Sequence, residues 1–416
     1  MSANVSPFRD QIIGGGCGEG HVTVSGCLTA ASRRISISRR ALLPPTLPRL
    51  PIELCESIMD WIAAECDPFL QNMWTRVTLL ACSLVCRTWR YRAQLHLFTC
   101  VNVKAESLST FNRSLKAPRH LASFINELNI DSQSEHAMPV SSLFIAHKSQ
   151  NLKTLHIFCF DLTREHPWLC RAPLRCSVQV LDLEMLKKCN ASQLIRFLNA
   201  FHSLSSLHVF LDFKTLEHNG QILPSPYYAS SRSLTVLDLE LIPGVFRLLD
   251  WFIKAGLLLG HLKMLMLACI AHQSQTEFQS CFGGVEALLR HCGATIEDLT
   301  LIFNDVPMMG EVSDLFCLEH FVKMHKLTYR GDAMLKYAAR QLSAVSSKSN
   351  LVEVQLDIRL LKEWSPVADL CKTIDSALVS AKYPMVRRVN VCREILFDYF
   401  SNLQKRGIIE TYWRYN

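Results

Sequence analysis

Between residues 125 and 391 the chain repeats one six-residue pattern ten times: apolar, two free positions, apolar, one free position, apolar. It reads INELNI from Ile125, LKTLHI from Leu152, VQVLDL from Val178, LSSLHV from Leu204 and LTVLDL from Leu234. It continues with LKMLML from Leu262, IEDLTL from Ile296, MHKLTY from Met324, LVEVQL from Leu351 and VRRVNV from Val386. Successive copies start 26 to 35 residues apart, which is the period of a repeat built from one strand and one helix. The fifth position holds Asn129, His156, Asp182, His208, Asp238, Met266, Thr300, Thr328, Gln355 and Asn390, nine of them polar. A strand with one buried and one solvated face predicts this alternation.

Segments with apolar residues three and four apart lie between several strands. They are ASQLIRFLNAFHS, GVFRLLDWFIKAG, FGGVEALLRHCG, AMLKYAARQLSAV and VADLCKTIDSALVSA. Each predicts a helix whose apolar stripe packs on the strand layer. One repeat cannot bury its own apolar face, so the copies must stack. The fold class expected is α/β: a leucine-rich-repeat solenoid over 101–416, with parallel strands on one face and helices on the other.

Ahead of the repeats the spacing changes. Leu50, Leu54, Ile58, Met59 and Ile62 form a helical stripe, with Pro51 suited to a first turn and Glu53 and Glu56 near the positive helix end. After the polar break CDPFLQNMWTR come a second apolar helix through VTLLACSLVC and a third amphipathic one through RTWRYRAQLHLF. Residues 47–100 thus read as a three-helix module. Residues 1–46 differ from both, with GGGCGEG, SRRISISRR and LLPPTLP; five Arg, no Lys and two acids predict a flexible, disordered tail. An Arg-rich, Ser-rich, acid-poor start also fits an organelle targeting segment, and Ser36 after Arg33 and Arg34 fits a basophilic kinase site.

Composition narrows the picture little further. The net charge of +7 is mild for 416 residues and the basic residues are not segregated, which argues against a nucleic-acid partner. Seventeen cysteines, an odd number without regular pairing, read as reduced and mostly buried, so a cytoplasmic or nuclear location is expected. No apolar run reaches the ~18 residues of a membrane helix. The nearest, GLLLGHLKMLMLACIA, is broken by His261 and Lys263 and reads as a helix end, a turn and a buried strand. No membrane partner is expected.

Residues 48–98 resemble the F-box. The family pattern is Leu-Pro, an acidic residue and Leu, then Ile a turn later, and after a variable gap a leucine helix, Val-Cys-Arg and Trp. Here Leu50, Pro51, Glu53, Leu54 and Ile58 are followed by Leu79, Leu80, Leu84, Val85, Cys86, Arg87 and Trp89. The gap, AAECDPFLQNMWTRVT, is longer than usual. An F-box followed by leucine-rich repeats is similar to a large receptor family, in the style abundant in mushroom-forming fungi. The repeats depart from the family pattern: of the slots three past the last apolar position, only Asn304 carries the usual Asn.

The resemblance implies the substrate-recognition subunit of a Skp–cullin–F-box (SCF) ubiquitin ligase complex, acting in ubiquitin-dependent protein degradation. It implies a Skp-type adaptor held by Leu50, Pro51, Leu54, Ile58, Leu84, Val85 and Trp89, and a cullin reached through that adaptor. The repeats would bind an unidentified protein substrate through Asn129, His156, Asp182, His208, Asp238, Thr300, Thr328 and Gln355. The alternative is a non-catalytic repeat scaffold acting outside the ligase.

Neither reading calls for an enzyme, cofactor or metal. The sequence has no phosphate-binding Gly loop, no G-x-S-x-G, no H-E-x-x-H and no Cys-x-x-Cys. Cys82 and Cys86, one helical turn apart, read as packing residues; Cys170 and Cys176 with His166 nearby are the one conceivable metal set. His156 and His208, two strands apart with Asp182 between them, read as contact surface because ~10 Å exceeds hydrogen-bond reach.

Overall fold

The computed structural model describes residues 51–64, 73–104, 107–115, 119–131, 149–158, 177–186, 194, 197–198, 201–211, 234–241, 253, 259–270, 285–304, 318–331, 334–345, 349–357, 365–391 and 398–411. Contacts divide the chain into a unit of residues 1–54 with 414–416 and a unit of residues 55–413. In the first unit only 51–54 are described, where the Leu54 N–H donates to the Pro51 carbonyl at 3.2 Å and opens a helix. The tail, the segment 65–72, Cys170, Cys176 and His166 lie outside the described residues.

The larger unit is an α/β structure on a twelve-stranded, all-parallel sheet whose strands neighbour one another in chain order, a solenoid-like arrangement. The strands are β1 (Cys100–Lys104), β2 (Glu127–Asp131), β3 (Thr154–Phe158), β4 (Val180–Leu186), β5 (Ser206–Leu211) and β6 (Val236–Leu241). They continue with β7 (Met264–Ile270), β8 (Asp298–Asn304), β9 (Lys326–Arg330), β10 (Glu353–Asp357), β11 (Arg388–Val391) and β12 (Ile409–Thr411). All ten sequence windows are strands, and all ten pair in the register their pattern implies. Leu155 sits beside Leu128 and Leu181, His156 beside Asn129 and Asp182, and so along the sheet. The first, fourth and sixth window positions form three buried apolar columns, exemplified by Leu152, Leu155 and Ile157. Each such side chain is worth ~1.5–3 kcal/mol when fully buried, and these columns form the continuous core.

Among the described residues, eight helices have both bounds fixed. Three precede the sheet: α1 (Ile52–Ala64), α2 (Met73–Val85) and α3 (Arg87–Thr99). Two follow β1: α4 (Leu108–Ser114) and α5 (Arg119–Phe124). The last three are α6 (Met334–Ala344), α7 (Ser365–Val379) and α8 (Ser401–Arg406). Residues 285–292 are helical as FGGVEALLRHCG predicts, and Leu194, Phe197, Leu198 and Ile253 are helical inside two other predicted segments. The segment around His261 is a turn (Leu259–His261) followed by β7, as its interrupted apolar run predicts. The second helix starts at Met73, earlier than expected. Its inner stripe begins with the buried Thr75 rather than with Val77.

The strand starts share one hydrogen-bonding device. Two consecutive N–H groups converge on one carbonyl of the preceding repeat: Lys153 and Thr154 on Asn126 O at 2.8 and 3.0 Å, and Gln179 and Val180 on Lys153 O at 2.7 and 3.0 Å. The arrangement recurs as far as Arg387 and Arg388 on Val352 O. Side chains reinforce it, with Ser205 Oγ donating to Gln179 O and Thr235 Oγ1 to Ser205 O. These bonds pair the backbone N–H groups at the strand starts, which would otherwise be left without an acceptor.

The two ends of the sheet are closed by different elements. At the first strand, Thr99 ends α3 and Cys100 starts β1 with no residue between them. Leu95 and Phe98 of α3 pack on the sheet core, and the Tyr91 ring meets the Phe124 ring edge-on at 5.1 Å. At the last strands, buried Asp375 of α7 accepts the Asn402 and Leu403 N–H groups at 2.9 Å each. Gly407, at φ 67°, terminates α8 in the left-handed region where glycine is at no steric disadvantage. The chain then lays β12 along β11.

Candidate functional site

Two surfaces carry the candidate residues. The first is on α1 and α2. Each helix has an inner apolar stripe: Cys55, Met59 and Ile62 on α1, and Leu79 with Cys82 on α2. Met59, Leu79 and Ala93 of α3 form a small buried cluster, joined by Trp89 and Leu97. Across the helices, Arg92 Nε donates to Asp60 Oδ1 at 2.7 Å, and His96 Nε2 lies 2.7 Å from the same oxygen. The Arg92 guanidinium, and His96 after it, lowers the Asp60 carboxyl to about 2.

Each helix also carries a second apolar stripe on its outer side. On α1 it is Leu54, Ile58 and Trp61; on α2 it is Trp74, Val77, Leu80 and Leu84, with Val85 beside them. These spacings of three and four place each set along one helix face. Ten of the fourteen exposed large apolar residues among those described fall in residues 52–91, so the exposure is concentrated rather than scattered. Leu84 is 79% exposed and Trp74 72%. Of the adaptor residues expected from the sequence, Pro51, Leu54, Ile58, Leu84 and Val85 are exposed. Trp89 is half-buried against the inner cluster and holds α3 to its neighbours. Leu50 lies outside the described residues. Trp61, Trp74, Val77 and Leu80 share the exposed stripes although the motif does not point to them.

The second surface is the outer face of the sheet. Its central row runs Asn102, Asn129, His156, Asp182, His208, Asp238, Met266, Thr300, Thr328, Gln355, Asn390 and Glu410, one residue from each strand in unbroken register. All eight candidate substrate residues therefore share one row. Thr328 is the most covered of them, at 8% exposure. Asp182 and Asp238 retain 20% and 23% side-chain exposure, between fully buried Leu181, Leu183, Leu237 and Leu239.

The histidines and aspartates of this row touch, whereas the two-strand separation of His156 and His208 alone predicts no contact. His156 Nδ1 lies 3.0 Å from Asp182 Oδ2, and His208 Nδ1 lies 3.2 Å from Asp238 Oδ2. Adjacent strands are only ~4.8 Å apart, half the spacing that separates His156 from His208. The hydrogen bond to Asp238 raises the His208 pKa above its ordinary value, against the effect of desolvation. An Nδ1–H bonded to Asp238 leaves Nε2 of the neutral ring to accept from the Ser206 hydroxyl, 3.0 Å away.

Ser206, His208 and Asp238 thus stand in the hydrogen-bond order of a nucleophile, a base and an orienting acid. Acyl transfer needs N–H donors aimed at a developing oxyanion. The Ser206 N–H is already committed to the Gln179 carbonyl at 2.9 Å, and the strands on both sides of β5 are paired. The linkage accordingly serves to fix the ring of His208. Cys82 packs against the inner helical cluster and Cys86 is exposed; no group of three or more His, Cys, Asp or Glu arranged for a metal occurs among the described residues.

No protein-family model matches this chain, and no curated protein matches it. What defines the molecule is its own architecture: an α/β, parallel-strand repeat structure that presents one ordered polar row and, ahead of it, helices with apolar residues on two faces.

Proposed function

We propose that the chain is the substrate-recognition subunit of a Skp–cullin–F-box ubiquitin ligase. The observation that carries the reading is the second apolar stripe on α1 and α2, exposed at Leu54, Ile58, Trp61, Val77, Leu80 and Leu84. A helix apolar on two faces is expected to bury both. In this reading Leu50, Pro51, Leu54, Ile58, Leu84 and Val85 meet a Skp-type adaptor, with Trp61, Trp74, Val77 and Leu80 extending the contact. Trp89 acts indirectly by fixing α3. The adaptor brings a cullin and, through it, a ubiquitin-loaded conjugating enzyme.

The chain does no chemistry in this scheme. It holds a substrate protein on the polar row so that a lysine of that substrate meets the thioester, a contribution of proximity alone. The direct passage from α3 into β1 supports the scheme, because a substrate held on the strands is then referred to the adaptor through packed elements rather than a tether. The location proposed is cytoplasm or nucleus, where such ligases work. The test is affinity capture of the full chain followed by mass spectrometry of what co-purifies. Adaptor and cullin together are expected with the wild type and absent with Ile58→Lys/Leu84→Lys; a partner set that never includes a cullin would favour a scaffold outside the ligase.

A further inference from the structure

The outward charges of the sheet are arranged unevenly. On the later strands each carboxylate described is met by a lysine or arginine: Asp298 by Lys326 at 3.7 Å, Asp357 by Arg330 at 2.7 Å, and Glu353 and Glu410 by Arg388 at 3.7 Å each, while Glu297, just ahead of β8, is met by Lys263 at 3.1 Å. On β4 and β6 the pattern changes. Among the described residues Asp182 and Asp238 are met only by the imidazoles of His156 and His208, and no lysine or arginine pairs with either. A neutral imidazole orients a carboxylate but leaves its charge uncompensated. Both aspartates remain partly open to solvent, and each uses only Oδ2 for its histidine.

Two further features point to the occupant. Asp182 and Asp238 lie two strands apart, ~10 Å, so two separate basic side chains can be seated without crowding. Phe210, 40% exposed, follows His208 on the outer side of β5, and Phe158 occupies the matching position on β3. An aromatic face beside a carboxylate favours the planar guanidinium over the compact ammonium.

We infer that the outer face of β3–β6 receives an arginine-bearing segment of the partner protein, with guanidinium groups seated on Asp182 and Asp238 beside Phe210. The inference rests on the reading that this face is the substrate surface, and it names the chemistry of what is recognised. It also makes recognition sensitive to pH. His208 faces Asp182 from β4, Asp238 from β6 and Ser206 and Phe210 on its own strand. When its ring takes up a second proton, the imidazolium supplies the positive charge that the partner's arginine would bring, and the two compete.

The experiment is fluorescence anisotropy of the full chain with a synthetic arginine peptide and its lysine and glutamate counterparts, read at high and low salt. The arginine peptide is expected to bind best, the lysine peptide more weakly and the glutamate peptide not at all. Asp182→Asn/Asp238→Asn should weaken the arginine peptide about tenfold, the scale of two partly exposed charge pairs. Asp369→Asn, on a residue 84% exposed on α7, should change nothing and so excludes a general loss of negative charge. Acidification through the histidine range should weaken binding of the wild type and have little effect on the double variant. Both asparagines are near-isosteric, and a thermal melt verifies folding; the single Asp238→Asn serves if the double variant melts early. Equal affinity of the wild type and the Asp182→Asn/Asp238→Asn variant, or binding of the glutamate peptide, overturns the inference. Capture of the Skp-type adaptor by the same samples is the independent control. Adaptor captured without arginine-peptide binding sinks this inference alone, whereas failure to capture the adaptor sinks the functional reading.

Discussion

Asp375 offers the sharpest test of how the repeat structure is finished. Its carboxylate is 2% exposed, and its two oxygens accept the first free N–H groups of α8, from Asn402 and Leu403, at 2.9 Å each. Asp375→Ala removes both acceptors and leaves two donors facing a gap. Each lost bond to a charged acceptor costs ~1.5–3 kcal/mol, but releasing the carboxylate from a buried position returns part of that. Loss of a helix cap measured in other proteins costs ~0.5–2 kcal/mol. We therefore expect about 2 kcal/mol for the alanine variant and about half that for Asp375→Asn, whose amide oxygen can still meet one N–H. The loss should be local, because Phe400 and Leu403, both fully buried, still hold the segment to the core. Hydrogen exchange should show amides in 398–411 exchanging about 30-fold faster, the equivalent of 2 kcal/mol, while β2–β6 are unchanged. Unchanged protection in 398–411, or an asparagine variant as damaged as the alanine one, would refute the capping argument.

Two other outcomes follow from burial and charge. Burial pushes the Cys292 and Cys371 thiols up to about 12, the second with help from the Asp375 charge, so both stay protonated in the native protein at about pH 8. Iodoacetamide should label exposed Cys86 and spare both until the chain is unfolded; peptide mapping that finds Cys292 modified as fast as Cys86 would contradict this. Asp238 raises the His208 pKa above 6.5, so the stabilisation it gives is fully present below that value and is lost as pH rises through the folded-state value. NMR titration should show His208 shifted upward and returned towards 6.5 by Asp238→Asn, and the difference in melting temperature between the two proteins should shrink from acid to alkaline pH.

The strands were legible because alternation fixes their register. A one-residue slip would have turned Leu181 and Leu183 outward and Asp182 inward, so the pattern left a single choice. Two strands were missed for different reasons. β1 carries the same pattern, in Phe98, Val101 and Val103, but its first position lies in the last turn of α3, where it reads as part of a helical stripe. β12 pairs Ile409 with Val389 but has Arg406 and Thr411 where apolar residues would stand, so nothing in its sequence marks it. The cap at Asp375 joins residues 27 and 28 apart through a helix interior that has no local signature. On the candidate surfaces, an excess of apolar residues in 47–100 was visible, and the exposed stripes on α1 and α2 are its structural form. The His–Asp contacts were not, because they join residues 26 and 30 apart in sequence and depend on which neighbouring strand each imidazole turns to.

The central claim concerns the outer stripes of α1 and α2, and direct titration of the purified full chain with a recombinant Skp-type adaptor tests it. The wild type is expected to bind in a one-to-one complex. Ile58→Lys/Leu84→Lys changes residues 48% and 79% exposed, so melting should be unaltered. Each lysine would carry a charge into an apolar contact, and loss of even one anchor is worth ~2 kcal/mol, about 30-fold in affinity. Calorimetry should therefore show wild-type binding and at least that loss in the folded variant. A wild type that does not bind the adaptor, or a folded variant that binds as well as the wild type, would contradict the account.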